Sequence, residues 1–278
     1  MFKKQFIYKG KSKDVSKITS GKYKGKYEFI FTDRGTGYIE NGKVFFDPGY
    51  DNVVGDIPGK GAIACKFATY FFKLLKSKNI PSHHIETIDS NIMIVEPAIL
   101  FSLPPEDPKV KGSAPLQNLE FSWRHNAQGS FWRRYSFVKP CKNIEFVIEA
   151  WTKGKSDTLI TFDSLEKAGV MTKKEISDAI ALVIEIARVV SAAFAKKGLH
   201  LIDGKVELGR LKKHPGKIVL IDEISPDVLR VCKGYVPCKN KDCREYKKCI
   251  ETFFEDGERK IRAKNQLTAE ELQKVFLN

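Results

Sequence analysis

The sequence predicts an α+β protein. Three observations carry this: residues 1–95 are dominated by short apolar-aromatic runs between turn residues, a single long amphipathic helix pattern fills residues 172–198, and a pair of strands follows it at once. With 278 residues the chain amounts to one large or two small domains. Hydrophobic residues make up 42% and charged residues 29%, enough apolar material for a core, so wholesale disorder is excluded.

The elements follow in order. Phe6-Ile7-Tyr8 reads as a strand leading into the turn Lys9-Gly10-Lys11-Ser12-Lys13. Residues 27–32 form a second apolar-aromatic run, ending at Asp33. Asn41-Gly42 lies between Tyr38-Ile39 and Val44-Phe45-Phe46, a hairpin signal because both residues tolerate positive φ. A helix is expected over 61–77, where Ile63, Phe67, Phe71, Leu74 and Leu75 recur at helical spacing, and Asn79-Ile80-Pro81 stops it. Residues 97–115 carry Pro97, Pro104, Pro105, Pro108 and Pro115 with little periodicity, which reads as a long loop or linker. Thr172 and Glu175 form a capping box, and Ile176, Ile180, Val183, Ala187, Val190 and Phe194 form the buried stripe behind it. Gly198 suits the C′ position. Strands near 199–211 and 217–221 are expected, joined by the turn Lys212-Lys213-His214-Pro215-Gly216.

Composition narrows the function classes. The 48 Lys+Arg against 34 Asp+Glu give a net charge of +14. Such an excess gathers anions (nucleic acid, anionic lipid or phosphorylated metabolites) or simply solvates a lysine-rich surface, and charge alone does not choose. The most apolar stretch, 180–194, is broken by Glu185 and Arg188, so no membrane span is expected. The basic start lacks an apolar run and a small-residue cleavage site, so no signal peptide is expected and the location should be cytoplasmic. Six cysteines are too few for a disulfide scaffold in a chain this long.

Five segments could carry chemistry. Along the strand His200-Leu201-Ile202-Asp203-Gly204-Lys205-Val206-Glu207, alternation puts Asp203, Lys205 and Glu207 on one face. The partner strand delivers Asp222. Hard oxygen ligands of this kind suit Mg²⁺ bridging to phosphates; the alternative is an exposed strand face, wet on one side. In Ser225-Pro226-Asp227-Val228-Leu229-Arg230, Asp227 and Arg230 could pair, or Arg230 could bind phosphate or carboxylate through its fork. In the segment 122–134, Gly129-Ser130 could set backbone N–H groups and a hydroxyl against a phosphate with Arg124 as counter-charge. Trp123 and Trp132 among arginines could instead stack on bases, or the segment could be a buried aromatic helix. Lys11 and Lys13 flank a glycine turn that can drape over a triphosphate, although GxxxxGK[ST] is absent. Four of the six cysteines, Cys232, Cys238, Cys243 and Cys249, fall close together in a lysine-rich segment and could hold a structural Zn²⁺, whereas Cys65 and Cys141 read as small core residues.

These pieces come in a familiar order. The segments YKGKSKDV (8–15), FTDRGTGY (31–38), PGKGAIACKFATYFFKLL (58–75), NIPSHHIE (79–86), RHNAQGS (124–130), KKGLHLIDGKVELG (196–209) and IDEISPDVLR (221–230) make the chain similar to the SAICAR synthetase family over roughly its first 230 residues. The resemblance implies an ATP-dependent ligation: ATP phosphorylates the carboxylate of carboxyaminoimidazole ribonucleotide, and the amine of aspartate displaces the phosphate. It implies that Lys11 and Lys13 contact ATP phosphates, that Glu207 and Asp222 hold Mg²⁺ and nucleotide, and that Asp203 and Lys205 lie near the reacting carboxylate. Arg124, Gly129, Ser130 and Arg230 would cradle the ribonucleotide phosphate. A β-rich, ATP-covering lobe over 1–113 and a larger α/β lobe over 114–278 are implied, with the site between them. The expected partners are small molecules (ATP, a phosphorylated ribonucleotide and an amino acid), with no membrane and no nucleic acid, and a homo-oligomer is expected. The chain departs from the family pattern at Ala64, Cys65, His125, Gln128 and Gly204, and in the segment 151–157 only Asp157 matches readily. A paralogue acting on another carboxylate or amine would show such changes. A nucleic-acid binder using Trp123, Trp132 and a zinc knob is the rival from another class.

Overall fold

The structure, a computed structural model, describes residues 2–46, 52–101, 118–139, 142–153, 157–233 and 268–277. The first half contributes β1 (Lys4–Lys9), β2 (Lys13–Ile18), β3 (Tyr27–Phe31), β4 (Arg34–Glu40), β5 (Lys43–Phe46), β6 (Val53–Asp56), α1 (Lys60–Ser77), β7 (His84–Asp89), β8 (Ile92–Val95) and β9 (Ala98–Ile99). The second contributes β10 (Leu119–Asn126), α2 (Gly129–Arg134), β11 (Asn143–Thr152), β12 (Leu159–Ile160), α3 (Phe162–Lys167), α4 (Lys173–Ala195), β13 (Leu199–Leu211), β14 (His214–Ile221), β15 (Leu229–Lys233) and α5 (Ala269–Phe276). The α+β expectation holds. One antiparallel sheet runs β1-β2-β3-β8-β7, a small one runs β5-β4-β6, and a seven-stranded one runs β12-β11-β10-β13-β14, with β15 and β9 also on β13.

Local chemistry explains the joints. Asn41 and Gly42 take φ of 50° and 74° in the β4–β5 hairpin, as the Asn-Gly pair requires. The α1 start has no cap of its own. Asp33 supplies one from β3's end, accepting from the Gly59 and Gly61 amides at 3.0 and 2.9 Å. The α4 start carries the expected capping box between Thr172 and Glu175. Its end comes earlier than Gly198 suggested: Lys196 is the cap, and Gly198 follows at φ 68°.

Two expectations need correction. Residues 98–99 are not loop: Ile99 and Ala98 pair with Arg210 and Leu211. The rest of the proline-rich stretch and the lobe boundary at 113/114 lie outside the described residues. The β13–β14 turn is also shorter than expected. His214 already pairs with Leu211, and Arg210 next pairs with Ile218. Pro215 and Gly216 therefore sit in a bulge, which tolerates a residue without an N–H.

Among the described residues one main cluster spans sheets and helices, with small separate ones at Ile18, Tyr23 and Ile94 and at Ile202 and Cys232. Phe29, Phe31 and Met93 of the first sheet, Phe67 and Phe71 of α1, Val183 and Val190 of α4, Phe121 and Leu208 of the large sheet, and Phe276 of α5 belong to one buried cluster. Phe276 meets the rings of Phe67, Tyr70, Phe71 and Phe194. Cys65 lies in this core as expected, and burial pushes its thiol up to about 11. Cys141 lies outside the described residues. Among the described residues no helix is long and apolar enough to cross a membrane.

Candidate functional site

Strand β13 is the spine of the site. Its dry face (Val206, Leu208) packs into the core, and its other face carries Asp203, Lys205 and Glu207, as alternation requires. Neighbouring β10 sets Arg124, Ser122 and Glu120 opposite them in register. The face is not a wet surface: Asp203 and Arg124 are buried.

At one end is an arginine cluster. Arg124 donates to Glu149 at 2.8 Å, to Asp203 at 3.1 Å and to the Ser130 hydroxyl at 2.9 Å. Arg230, delivered by β15, donates through Nε to Asp203 at 2.7 Å and again through Nη2. Burial works against the Asp203 carboxylate, but Arg230 and Arg124 hold it below its usual range. Gly129 has φ 58°, and a Cβ there would come within 2.7 Å of the Arg230 guanidinium. A side chain there would be strained by the backbone and would push the guanidinium away from its place. All four expected phosphate-cradle residues are thus brought together, with Asp203 among them rather than beside Glu207. The Asp227–Arg230 pair does not form; Asp227 instead takes Lys60 of α1.

At the other end are the carboxylates. Lys13 of β2 is buried 2.5 Å from Glu223 and 3.0 Å from Asp222. Burial opposes its charge, yet the two carboxylates hold it above the ordinary lysine range. Asp222 sits at φ 63°, left-handed backbone that Asp tolerates better than most residues. Burial works against its charge too, and Lys13 and Lys153 pull it below the usual carboxylate value. Glu207 accepts from Asn118 at 2.9 Å and from Lys153. Burial and then the Asp222 charge outweigh Lys153 and push Glu207 up. Lys205 lies between the two ends, 2.7 Å from Glu120. Lys11 is exposed at the β1–β2 tip, where Gly10 lets its amide reach the Lys13 carbonyl at 2.7 Å.

The donor set fits Mg²⁺. Among the described residues no three His, Cys, Asp or Glu side chains converge as a cage. Mg²⁺ needs only one or two carboxylates when phosphates supply the rest. Glu207 on β13 and Asp222 just past the end of β14 are two such carboxylates on paired strands, and together they would hold the ion.

Sequence reasoning missed Glu120, Glu149, Lys153, Glu223 and His83. Glu223 was visible beside Asp222; Lys153 lay in a segment read only for Asp157. Glu120 and Glu149 are assigned only once β10 is known to lie beside β13 and β11 beside β10, and His83 only once residues 81–83 are known to run along β14. Two sequence readings fail here. Trp123 is fully buried, so it offers no base a face. Cys232 is buried in β15 opposite His200, not in an exposed segment. Cys238, Cys243 and Cys249, and with them the four-thiolate zinc expectation, lie outside the described residues.

Known proteins resemble the chain closely. A family model described as SAICAR synthetase matches residues 6–248. The phosphoribosylaminoimidazole-succinocarboxamide synthase of Clostridium tetani is 34% identical over 231 residues, covering 82% of this chain and 92% of that protein. The protein of that name from Methanocaldococcus jannaschii is 26% identical over 234 residues, covering 83% of each. Among solved structures, the phosphoribosylaminoimidazole-succinocarboxamide synthase of Ehrlichia chaffeensis superposes with a TM-score of 0.67 at 22% identity, covering 84% of this chain and 87% of that one. A SAICAR synthetase (Type-2) in complex with ADP gives 0.64 at 24% identity, covering 91% and 100%.

Proposed function

Since the chain belongs to the SAICAR synthetase family, we propose that it is the ATP-dependent ligase joining aspartate to carboxyaminoimidazole ribonucleotide in purine biosynthesis. The observation that carries this is the single charged face of β13, with a nucleotide end at Glu207 and Asp222 and an acceptor end at Arg124, Ser130 and Arg230. Two highly anionic substrates must meet for phosphoryl transfer, and fixed cations offset charge that develops as they do.

Each residue has a task. Lys11 and Lys13 reach the ATP phosphates from the β1–β2 hairpin. Mg²⁺ on Glu207 and Asp222 would neutralise phosphate charge during transfer. Arg124 and Arg230 take the ribonucleotide phosphate in forked geometry, with Ser130 donating its hydroxyl. Lys205 lies along the strand between the ends, where it can offset the charge of the acceptor carboxylate. Asp203 holds both arginines in place.

The second reading is the same ligation on another carboxylate or amine. Packing accounts for two of the departures that raised it. Gly204 lies under the Trp123 ring, and His125 bonds Glu145 at 2.7 Å with its ring edge-on to Phe146. ADP release measured with carboxyaminoimidazole ribonucleotide and each amino acid in turn separates the readings. Release that depends on aspartate supports the first; release with a different amine only, or with none, contradicts it.

A further inference from the structure

We propose that His83 is a positioning residue for Asp222, holding the backbone of the nucleotide-end carboxylate in its left-handed turn. This rests on the reading of Glu207 and Asp222 as the Mg²⁺–nucleotide pair.

The residues after α1 do more than connect it to β7. Ser82 makes a parallel bridge to Leu220 of β14. The Leu220 amide donates to the Pro81 carbonyl at 3.1 Å, and the His83 amide donates to the Leu220 carbonyl at 2.9 Å. The His83 carbonyl in turn accepts from the Glu96 amide at 2.8 Å, beyond the end of β8. Residues 81–83 therefore tie the first sheet to the last residues of β14 before Asp222. His83 is 2% exposed and is held by the rings of Phe29 and Phe72, at centroid distances of 5.5 and 5.8 Å. Its Nε2 lies 3.3 Å from the Asp222 carbonyl oxygen, close enough to donate to it.

That carbonyl belongs to a residue with φ 63°, where β14 leaves its straight course. A left-handed non-glycine residue persists only when its surroundings hold it. The aromatic walls fix the imidazole, the backbone bonds fix its Cα, and its remaining reach is to the Asp222 peptide. The Asp222 carboxylate is then presented to Lys13 on the other side of the turn. Partners that orient a ligating carboxylate without touching the ion commonly set metal affinity by ten- to hundredfold.

The test compares His83→Gln with His83→Met. The two side chains have similar length and flexibility, and only glutamine keeps an N–H donor at about the reach of Nε2. ADP binding is measured calorimetrically over a range of Mg²⁺ concentration, which needs no acceptor or amine. His83→Met should raise the half-saturating Mg²⁺ concentration about tenfold, while His83→Gln stays near the parent protein. Equal Mg²⁺ dependence in the two variants overturns the role, whether both match the parent or both are impaired alike. Parent protein whose ADP binding ignores Mg²⁺ overturns the pair assignment itself. A different amine or carboxylate substrate leaves this readout unchanged, so failure of the ligation reading shows separately.

Discussion

Gly204 and Trp123 face each other across β13 and β10, and the large residue depends on the small one. A Cβ at Gly204 would lie 2.3 Å from the Trp123 ring and 2.7 Å from Leu229. Gly204→Ala should therefore destabilise the protein by about 1–3 kcal/mol, read as a lower denaturant midpoint. Trp123→Leu added to Gly204→Ala should recover part of the loss; an unchanged midpoint in the single variant would contradict the packing account. At the nucleotide end, Asp222→Asn and Glu207→Gln should each lower ATP turnover by about 10²-fold or more with the fold retained. Near-normal ADP formation in either would sink the pair assignment. Asp203, Lys205 and Glu207 were legible in the sequence because a strand has period two. Lys153, Glu149 and His83 were not, because their roles come from strand neighbours distant in sequence. Gly204 stood out in the sequence as a departure, but its cause lies on β10.

Helix α4 was the most legible element, since its capping residues and buried stripe are both local patterns. Its first turn also reaches outward. Glu175 accepts from Arg210 Nε at 2.5 Å and from the Thr172 amide at 2.8 Å. The Arg210 bond, then the Thr172 bond, overcome partial burial and hold its carboxyl down to about 2. A depressed carboxylate contributes stability above its unfolded value, near 4.3, and loses it as pH falls through the folded value. Stability against urea should thus fall between about pH 4.5 and pH 2, and Glu175→Gln should flatten that part of the profile. A variant with the parent's slope there would remove Glu175 from the account. The β13–β14 hairpin was less legible. Pro215-Gly216 is a strong turn signal, but these residues fall within a bulge after the chain has already turned at Lys212-Lys213.

At the scale of the whole molecule, the aromatic cluster around Phe276 ties α5 to α1 and α4, and the same core runs on into both larger sheets. Phe276→Ala should cost about 3–5 kcal/mol, the usual range for a buried phenylalanine. Because one main cluster joins both larger sheets, unfolding of the parent should be one transition by both tryptophan fluorescence and far-ultraviolet dichroism. Separate midpoints for the two signals would show that the sheets unfold independently. The α+β class was readable from the order of patterns. The shared core was not, since it depends on Phe29, Phe71, Val190 and Phe276 meeting from distant parts of the chain.

The ion pairs at the proposed nucleotide end should also act as a filter. There Lys13 and Lys153 each already hold a carboxylate. A stray sulfate or inorganic phosphate can enter only by displacing one, which leaves a covered carboxylate without its counter-ion and is costly. A nucleotide arriving with a divalent cation would exchange both partners at once, the displaced carboxylates gaining an ion as the lysines gain phosphates. The resting site should therefore ignore background anions that would crowd an open basic groove, and keep these lysines for the ligand that brings a metal with it.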